Sequence, residues 1–115
     1  MSVIIWHNPR CSKSRQTLQL LRDRGIEPEI MEYLETPPDE KTLREILNLL
    51  GRAPRELMRS GEDEYKTNDL ANPDLSDDEL IAAMLRIPRL IERPVVLANG
   101  KAAVGRPPES VLEIL

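Results

Sequence analysis

The chain has 115 residues, a formal net charge of −4 at pH 7, and a composition that is 40% hydrophobic and 31% charged, which is typical of one globular domain. Phe is absent and aromatic residues make up 3% of the chain. So few base-stacking side chains and an acidic balance argue against a nucleic-acid partner. No apolar run approaches the about 20 residues that cross a bilayer, and no signal peptide is visible, so we predict a cytoplasmic protein without a membrane partner.

The first part of the chain alternates between strand and helix patterns. Val3–Trp6 is a short apolar run with high β propensity, which Asn8 and the following proline end. Residues 12–24 have a helical pattern that Gly25 terminates, and Glu29–Tyr33 is predicted as a second strand. A strand, a helix and a strand in this order indicate a βαβ unit with parallel pairing and a right-handed crossover.

A block of helices is predicted from about residue 36 to about residue 88. Apolar residues recur at the spacing of an amphipathic helix that ends at Gly51: Leu43, Ile46, Leu47 and Leu50. Pro54 stands at the favoured first position of a short helix. Ser76 and Glu79 have the spacing of a capping box, which begins another helix.

The C-terminal part of the chain has the pattern of a hairpin followed by a helix. Pro94–Ala98 is strand-like, Asn99-Gly100 is the strongest two-residue hairpin signal, and Lys101–Val104 is the returning strand. Pro107 and its successors open the last helix. The order β-α-β, helices, β-β-α is the thioredoxin-like layout. We therefore predict a single α/β domain over residues 1–115 with an all-helical insertion.

Cys11 is the only cysteine and lies between the first strand and the first helix. The N-terminus of a helix lowers the pKa of a thiol, and we expect the charges of Arg10, Lys13 and Arg15 to act in the same direction. Only the thiolate is a nucleophile. We interpret Cys11 as an activated nucleophile with a pKa below the ordinary value of about 8.5, against the alternative of an inert buried cysteine. A lone cysteine also fits a reducing compartment.

Two polar residues near Cys11 are candidates for assisting it. His7, the only histidine, could supply a positive charge or a hydrogen bond, or be a structural residue. Ser14 completes a Cys-x-x-Ser motif, which has no second thiol for a dithiol pair, and its hydroxyl could bind a thiolate or occupy an ordinary first turn. One cysteine and one histidine leave no nitrogen and sulfur ligand set, so we predict neither a metal nor a bound cofactor.

Three arginines stand beside predicted chain breaks. Arg93 and Arg106 each precede a proline, which restricts the preceding backbone to extended conformations, and Arg59 ends a short helix. Guanidinium groups bind tetrahedral oxyanions in bidentate fashion. Taken singly, each could instead be a solvated surface charge, and Arg55 fits the pattern as well as Arg59 does.

Five blocks of the sequence resemble those of one known family. His7–Arg15, which reads HNPRCSKSR, closely resembles the active-site loop of the glutaredoxin-dependent arsenate reductase family. Tyr33–Pro38, Glu56–Arg59, Arg93–Val96 and Gly105–Glu109 are similar to its other blocks, in the same order and at similar spacing. The resemblance covers essentially the whole chain and is closest to a short branch of the family, in which Ser12-Lys13 follows the cysteine.

The resemblance implies that arsenate, or a similar oxyanion, is reduced to arsenite. Cys11 is then the nucleophile that attacks arsenic, His7 tunes the thiol, and the Arg93–Pro94 bond is cis. The residues implied to bind the oxyanion or form its loop are Arg59, Arg93, Arg106, Ser14 and Arg15. Glutathione is implied as the co-substrate and glutaredoxin as the partner, which agrees with a single cysteine because the resolving thiols must come from other molecules.

Two other functions are compatible with the sequence. The chain could be a glutathione-dependent thiol-disulfide oxidoreductase that acts on another substrate through Cys11. It could also be a non-enzymatic regulator that binds RNA polymerase, as other members of the superfamily do. Those regulators typically carry two cysteines as a redox switch, and this chain has one.

Overall fold

The β-sheet consists of four short strands, β1 (Ile4–Trp6), β2 (Glu29–Met31), β3 (Val95–Ala98) and β4 (Lys101–Val104). In the computed structural model, which describes residues 2–115, the strands lie in the order β2-β1-β3-β4. β1 pairs in parallel with β2 and antiparallel with β3, and β3 pairs antiparallel with β4. This topology confirms the predicted thioredoxin-like α/β fold.

Helix α1 (Ser12–Asp23) forms the crossover between β1 and β2. Its buried face contributes Leu18 and Leu21 to an aliphatic core, in which they join residues of β1, of β3 and of the C-terminal 3₁₀ helix Pro108–Ile114. The helix ends where the sequence predicts, since Gly25 follows in the left-handed region with φ 77°. The N-terminus of α1 is thereby held against the sheet by the packing of its C-terminal half.

The β3–β4 connection is the predicted two-residue hairpin. Asn99 and Gly100 both have positive φ, 55° and 71°, as a type I′ turn requires. The Asn99 Nδ2 group also donates a hydrogen bond of 2.8 Å to the carbonyl oxygen of Ile114. The turn is therefore tied to the C-terminal 3₁₀ helix as well as to its two strands.

The helical segment contains α2 (Glu40–Leu50), α3 (Asp63–Thr67) and α4 (Asp77–Arg86), with 3₁₀ turns at Pro54–Leu57 and Pro88–Leu90. α2 packs against α4. The predicted capping box is confirmed, because the Ser76 hydroxyl accepts from the Glu79 N–H at 3.2 Å and the Glu79 carboxylate accepts from the Ser76 N–H at 3.1 Å. The sequence did not predict α3, which buries no residue and so has no apolar stripe to reveal it.

The chain forms two compact units. The first, here the sheet unit, comprises residues 2–36 and 93–115, and the second, the helical unit, comprises residues 37–92. The helical unit coincides closely with the predicted insertion at about 36–88. That the sheet unit and the helical unit belong to a single domain stays a prediction. Over residues 2–115, no helix has the length and apolar character needed to cross a membrane.

Candidate active site

Cys11 is the N-cap residue of α1, with an extended backbone at φ −95° and ψ 124°. An oxygen-bearing side chain usually occupies this position and accepts hydrogen bonds from the N–H groups of the first turn. Here Cys11 stands at that position without a side-chain cap hydrogen bond, and the nearby backbone N–H groups of Ser14 and Lys13 favour the negative charge of its sulfur. The structure thus places the thiol at the helix N-terminus, as the sequence predicts.

The pKa of the Cys11 thiol lies below its ordinary value. Burial of the sulfur raises the pKa, but hydrogen bonding outweighs this effect. The Ser14 N–H, the guanidinium of Arg93 and the Lys13 N–H all favour the thiolate, which is the nucleophilic form. The residue is therefore both mostly buried and activated.

The side-chain charges of the cations next to Cys11 in sequence are not among the main causes that lower its pKa. Arg10 and Arg15 are solvent-exposed, and the Arg15 Nη1 group donates to the carbonyl oxygen of Pro9 at 2.9 Å. Lys13 acts through its backbone N–H. The expectation that these three side-chain charges activate the thiol is therefore corrected: water screens an exposed charge, whereas backbone dipoles and a half-buried guanidinium act at short range.

Arg93 and Arg106 lie together beside the sulfur. The Arg106 Nη2 group donates to Cys11 Sγ at 3.6 Å, a contact between residues 95 positions apart. The Arg106 Nε group donates to the carbonyl oxygen of Arg93 at 2.8 Å. Both arginines precede cis peptide bonds, at Arg93–Pro94 as predicted and also at Arg106–Pro107. Arg106 makes the geometric contact, whereas Arg93 is the side chain that lowers the thiol pKa most.

Gly105 allows the segment that carries Arg106 to lie close to α1. A Cβ atom at position 105 would lie 2.5 Å from Thr17 Oγ1 and 2.8 Å from Pro94 Cγ. Thr17 Oγ1 is itself fixed, because it donates to the carbonyl oxygen of Lys13 at 2.8 Å. The sequence contains no signal for this close approach, which depends on three segments that meet only in the fold.

His7 and Ser14 form a buried hydrogen bond of 2.6 Å between Nδ1 and Oγ. The Ser14 Oγ atom also accepts from the backbone N–H of Asn8 at 3.0 Å. Burial lowers the pKa of His7, so the ring is neutral at pH 7 and cannot supply a positive charge to the thiol. The Ser14 hydroxyl fixes the loop, and the Ser14 backbone N–H stabilises the thiolate.

Asn8 shapes the loop, although the sequence did not predict it as a site residue. Its Oδ1 atom accepts from the Arg10 N–H at 3.0 Å, and its carbonyl oxygen accepts from the Cys11 N–H at 3.0 Å. An Asn side chain that folds back on the backbone two residues later is a common turn device. The Asn-Pro pair predicts the end of the strand, and the same signal could also have indicated this turn.

Arg59 lies in the helical unit and is engaged by two carboxylates. Its Nε group donates to Glu62 Oε1 at 3.1 Å, and its Nη1 group donates to Glu92 Oε1 at 2.6 Å. Its backbone N–H donates to the carbonyl oxygen of Leu90 at 2.7 Å. The convergence of Arg59 with Cys11 on one oxyanion stays a prediction.

Arg55, the alternative to Arg59, has a structural role. Its Nη1 group donates to the hydroxyl of Tyr65 at 2.9 Å and to the carbonyl oxygen of Leu70, and its Nη2 group donates to the carbonyl oxygen of Asn72 at 2.9 Å. The guanidinium thus holds the segment that follows α3. The sequence pattern could not distinguish Arg55 from Arg59, but their hydrogen-bond partners do. Arg55 binds a tyrosine hydroxyl and backbone carbonyl groups, whereas the Arg59 side chain binds carboxylates.

Among residues 2–115, no group of three or more His, Cys, Asp or Glu side chains is arranged to hold a metal ion. The site in the sheet unit consists instead of a thiolate, the N-terminus of α1 and two guanidinium groups. Such a set can bind an anion and attack an electrophilic centre within it.

Comparison with known proteins gives consistent matches over nearly the whole chain. The family model described as the ArsC family matches residues 6–114. The uncharacterised protein YfgD of Escherichia coli K12 is 60% identical over 114 residues, which cover 98% of this chain and 96% of that protein. An arsenate reductase of Neisseria meningitidis serogroup A is 54% identical over 112 residues, 96% of each chain. The solved structure of an arsenate reductase from Vibrio cholerae superposes with a TM-score of 0.97 at 53% identity, over 100% of this chain and 98% of that one.

Proposed function

Because the chain belongs to the ArsC family, we propose that it is an arsenate reductase, which forms arsenite with glutathione and glutaredoxin as reductants. The observation that carries this proposal is the convergence of Cys11, Arg93 and Arg106 at the start of α1. A thiolate beside two guanidinium groups suits an anionic substrate with an electrophilic centre. The arsenate reductases among the relatives support the same substrate.

In this proposal Arg93 and Arg106 hold the arsenate oxygens, and Arg59 of the helical unit supplies a third guanidinium. The first turn of α1, to which Ser14 and Arg15 belong, presents the backbone N–H groups of Lys13 and Ser14 to the anion, whereas the Arg15 N–H donates to the carbonyl oxygen of Cys11. The same groups that stabilise the thiolate in the free protein then stabilise the charge on the substrate.

The reaction begins when Cys11 Sγ attacks arsenic and one oxygen leaves as water, with arsenic still in the As(V) state. The glutathione thiol then adds to arsenic, and a second water leaves. A glutaredoxin thiolate attacks the glutathione sulfur; the electron pair of the broken S–As bond stays on arsenic, which becomes As(III). Water releases arsenite from Cys11 and regenerates the thiol. Because these steps need reduced glutathione, we place the protein in the cytoplasm.

The test is arsenite formation by the purified protein with arsenate, glutathione, glutaredoxin, glutathione reductase and NADPH. We expect turnover in the wild type, none in Cys11→Ser, and a loss of about 10- to 100-fold in Arg106→Ala, since Arg106 contacts the nucleophile. The Neisseria meningitidis relative serves as the positive control. The proposal is wrong if that relative forms arsenite and this protein does not. Reduction of a glutathione mixed disulfide without arsenate would instead indicate a thiol-disulfide oxidoreductase.

A further inference from the structure

The guanidinium of Arg59 is already occupied by negative charge in the structure. Glu62 accepts from its Nε group at 3.1 Å, and Glu92 accepts from its Nη1 group at 2.6 Å. The side chains of Arg59, Glu62 and Glu92 are 22%, 15% and 25% exposed. Water therefore screens these ion pairs less than it screens pairs on the open surface.

Each of the two carboxylates binds one nitrogen of a different bidentate edge of the Arg59 guanidinium. One edge presents Nε with Nη2, and the other presents Nη1 with Nη2, and an oxyanion bound in bidentate fashion uses one of these pairs. Glu62 binds a nitrogen of the first edge and Glu92 binds a nitrogen of the second. An oxyanion that binds either edge therefore shares a nitrogen with a carboxylate and meets its negative charge.

The ion pairs extend through Glu62 into a wider network. Glu62 also accepts from Arg89 Nη2 at 3.2 Å, and Arg89 Nη1 lies 3.3 Å from Glu64. Of the two carboxylates bound to Arg59, Glu92 makes the shorter hydrogen bond, 2.6 Å against 3.1 Å for Glu62. Glu92 is consequently the stronger hydrogen-bond partner of Arg59, the residue predicted to bind the anion.

We propose that Glu92, supported by Glu62, competes with the substrate oxyanion for Arg59 and so lowers the affinity of the protein for arsenate. This inference rests on the proposed function, in which Arg59 binds the oxyanion. In this proposal Glu92 and Glu62 are affinity-determining residues that act through Arg59. When arsenate binds, its oxygens replace a carboxylate at the Arg59 guanidinium, and the displaced carboxylate becomes hydrated.

The experiment measures arsenate affinity directly, by isothermal titration calorimetry with arsenate alone, so that turnover is not needed. Glu92→Gln keeps the shape of the side chain and removes its charge, and we expect the Kd for arsenate to fall about fivefold. Glu62→Gln should change the Kd in the same direction by less, because its bond to Arg59 is longer. Glu64→Gln is the matched control: it removes the same charge from the same network but contacts Arg89 only, so its Kd should stay within about twofold of the wild-type value.

The effect of Glu92→Gln should depend on Arg59. In the Arg59→Ala background, Glu92→Gln should leave the Kd for arsenate unchanged, because position 59 no longer carries the guanidinium for which Glu92 and arsenate compete. The inference is overturned if Glu92→Gln weakens binding, which would show that Glu92 orients Arg59 for the anion. It is also overturned if Glu92→Gln behaves like Glu64→Gln, or if Arg59→Ala binds arsenate as well as the wild type does.

The outcomes separate this inference from the reductase proposal. If Glu92→Gln binds arsenate more tightly than the wild type but the wild type forms no arsenite, the inference is supported and the reductase proposal is refuted. If the wild type forms arsenite but Glu92→Gln leaves the Kd for arsenate unchanged, the reductase proposal is supported and the inference is refuted. Circular dichroism of each variant verifies that its fold is retained before the affinities are compared.

Discussion

At the sulfur of Cys11, burial and hydrogen bonding act in opposite directions on the thiol pKa. Burial alone would keep the thiol protonated, and the first-turn N–H groups with Arg93 reverse that preference. The side-chain charges of the three cations adjacent in sequence are not among the main causes of the shift. Local composition is therefore a poor guide to the electrostatics of a partly buried thiol, because direction and distance decide the effect.

We predict that Arg93→Ala raises the pKa of Cys11, because it removes the guanidinium that favours the thiolate. The rate of alkylation by iodoacetamide at pH 7 should fall by about threefold or more, and the midpoint of its pH dependence should move upward. Arg10→Ala, which removes an exposed charge next to Cys11, should leave the midpoint close to the wild-type value. Equal effects of the two substitutions would contradict the assignment.

The sequence located the nucleophile but not the full set of residues that hold it in place. Cys11 could be placed because a strand, a proline and a helical pattern around it are local signals. The contact between Arg106 and Cys11 joins positions 95 residues apart, and no single-sequence pattern encodes it. The prolines that follow Arg93 and Arg106 marked both as candidates, and the resemblance to a known family assigned them to the oxyanion, whereas the roles of Asn8 and Gly105 required the structure.

Among the elements, those with local chemical signals could be predicted closely. The hairpin at Asn99-Gly100 and the capping box at Ser76 follow from residues that stabilise one conformation by themselves. The second strand is shorter than predicted and ends at Met31, and α3 was missed because its five residues are not buried. Elements defined by tertiary contacts are the ones that sequence reasoning described least well.

The left-handed conformation of Gly100 makes a test of the hairpin possible. We predict that Gly100→Ala lowers the free energy of unfolding by about 1–2 kcal/mol, because its φ of 71° is unfavourable for a residue with a Cβ. A Cβ atom at Gly61 would meet no other atom within 4 Å, and the φ of Gly61 is not positive, so Gly61→Ala should be neutral or slightly stabilising. Urea denaturation at pH 7 compares the two. A similar loss in both variants would mean that the turn is not the cause.

For the whole molecule, the order of elements and the approximate bounds of the helical unit were predictable, but the contacts inside that unit were not. The sheet unit is built from both ends of the chain, with the helical unit between residues 37 and 92. Hydrophobic periodicity reports which face of an element is buried, not which partner covers it. The bounds of the helical unit could thus be approximated from the sequence, while its ion pairs around Arg59 could not.

The buried His7 should make the stability of the whole fold dependent on pH. Burial lowers its pKa below the unfolded value of 6.5, so below pH 6.5 the unfolded chain binds a proton that the folded chain resists. Stability from this group is complete above pH 6.5 and decreases as the pH falls toward the folded pKa. We predict a lower urea midpoint at pH 5.5 than at pH 7.5 in the wild type, and a smaller difference in His7→Gln. An equal difference in both proteins would assign the effect to other groups.

The order of the strands also has a consequence for the behaviour of the protein at high concentration. β2 and β4 are the edges of the sheet, and they have only 3 and 4 residues. Each begins with an exposed charged residue, Glu29 and Lys101 respectively. Short, charged edges offer few backbone hydrogen bonds to a neighbouring chain and penalise its approach. The sheet is consequently a poor template for edge-to-edge aggregation.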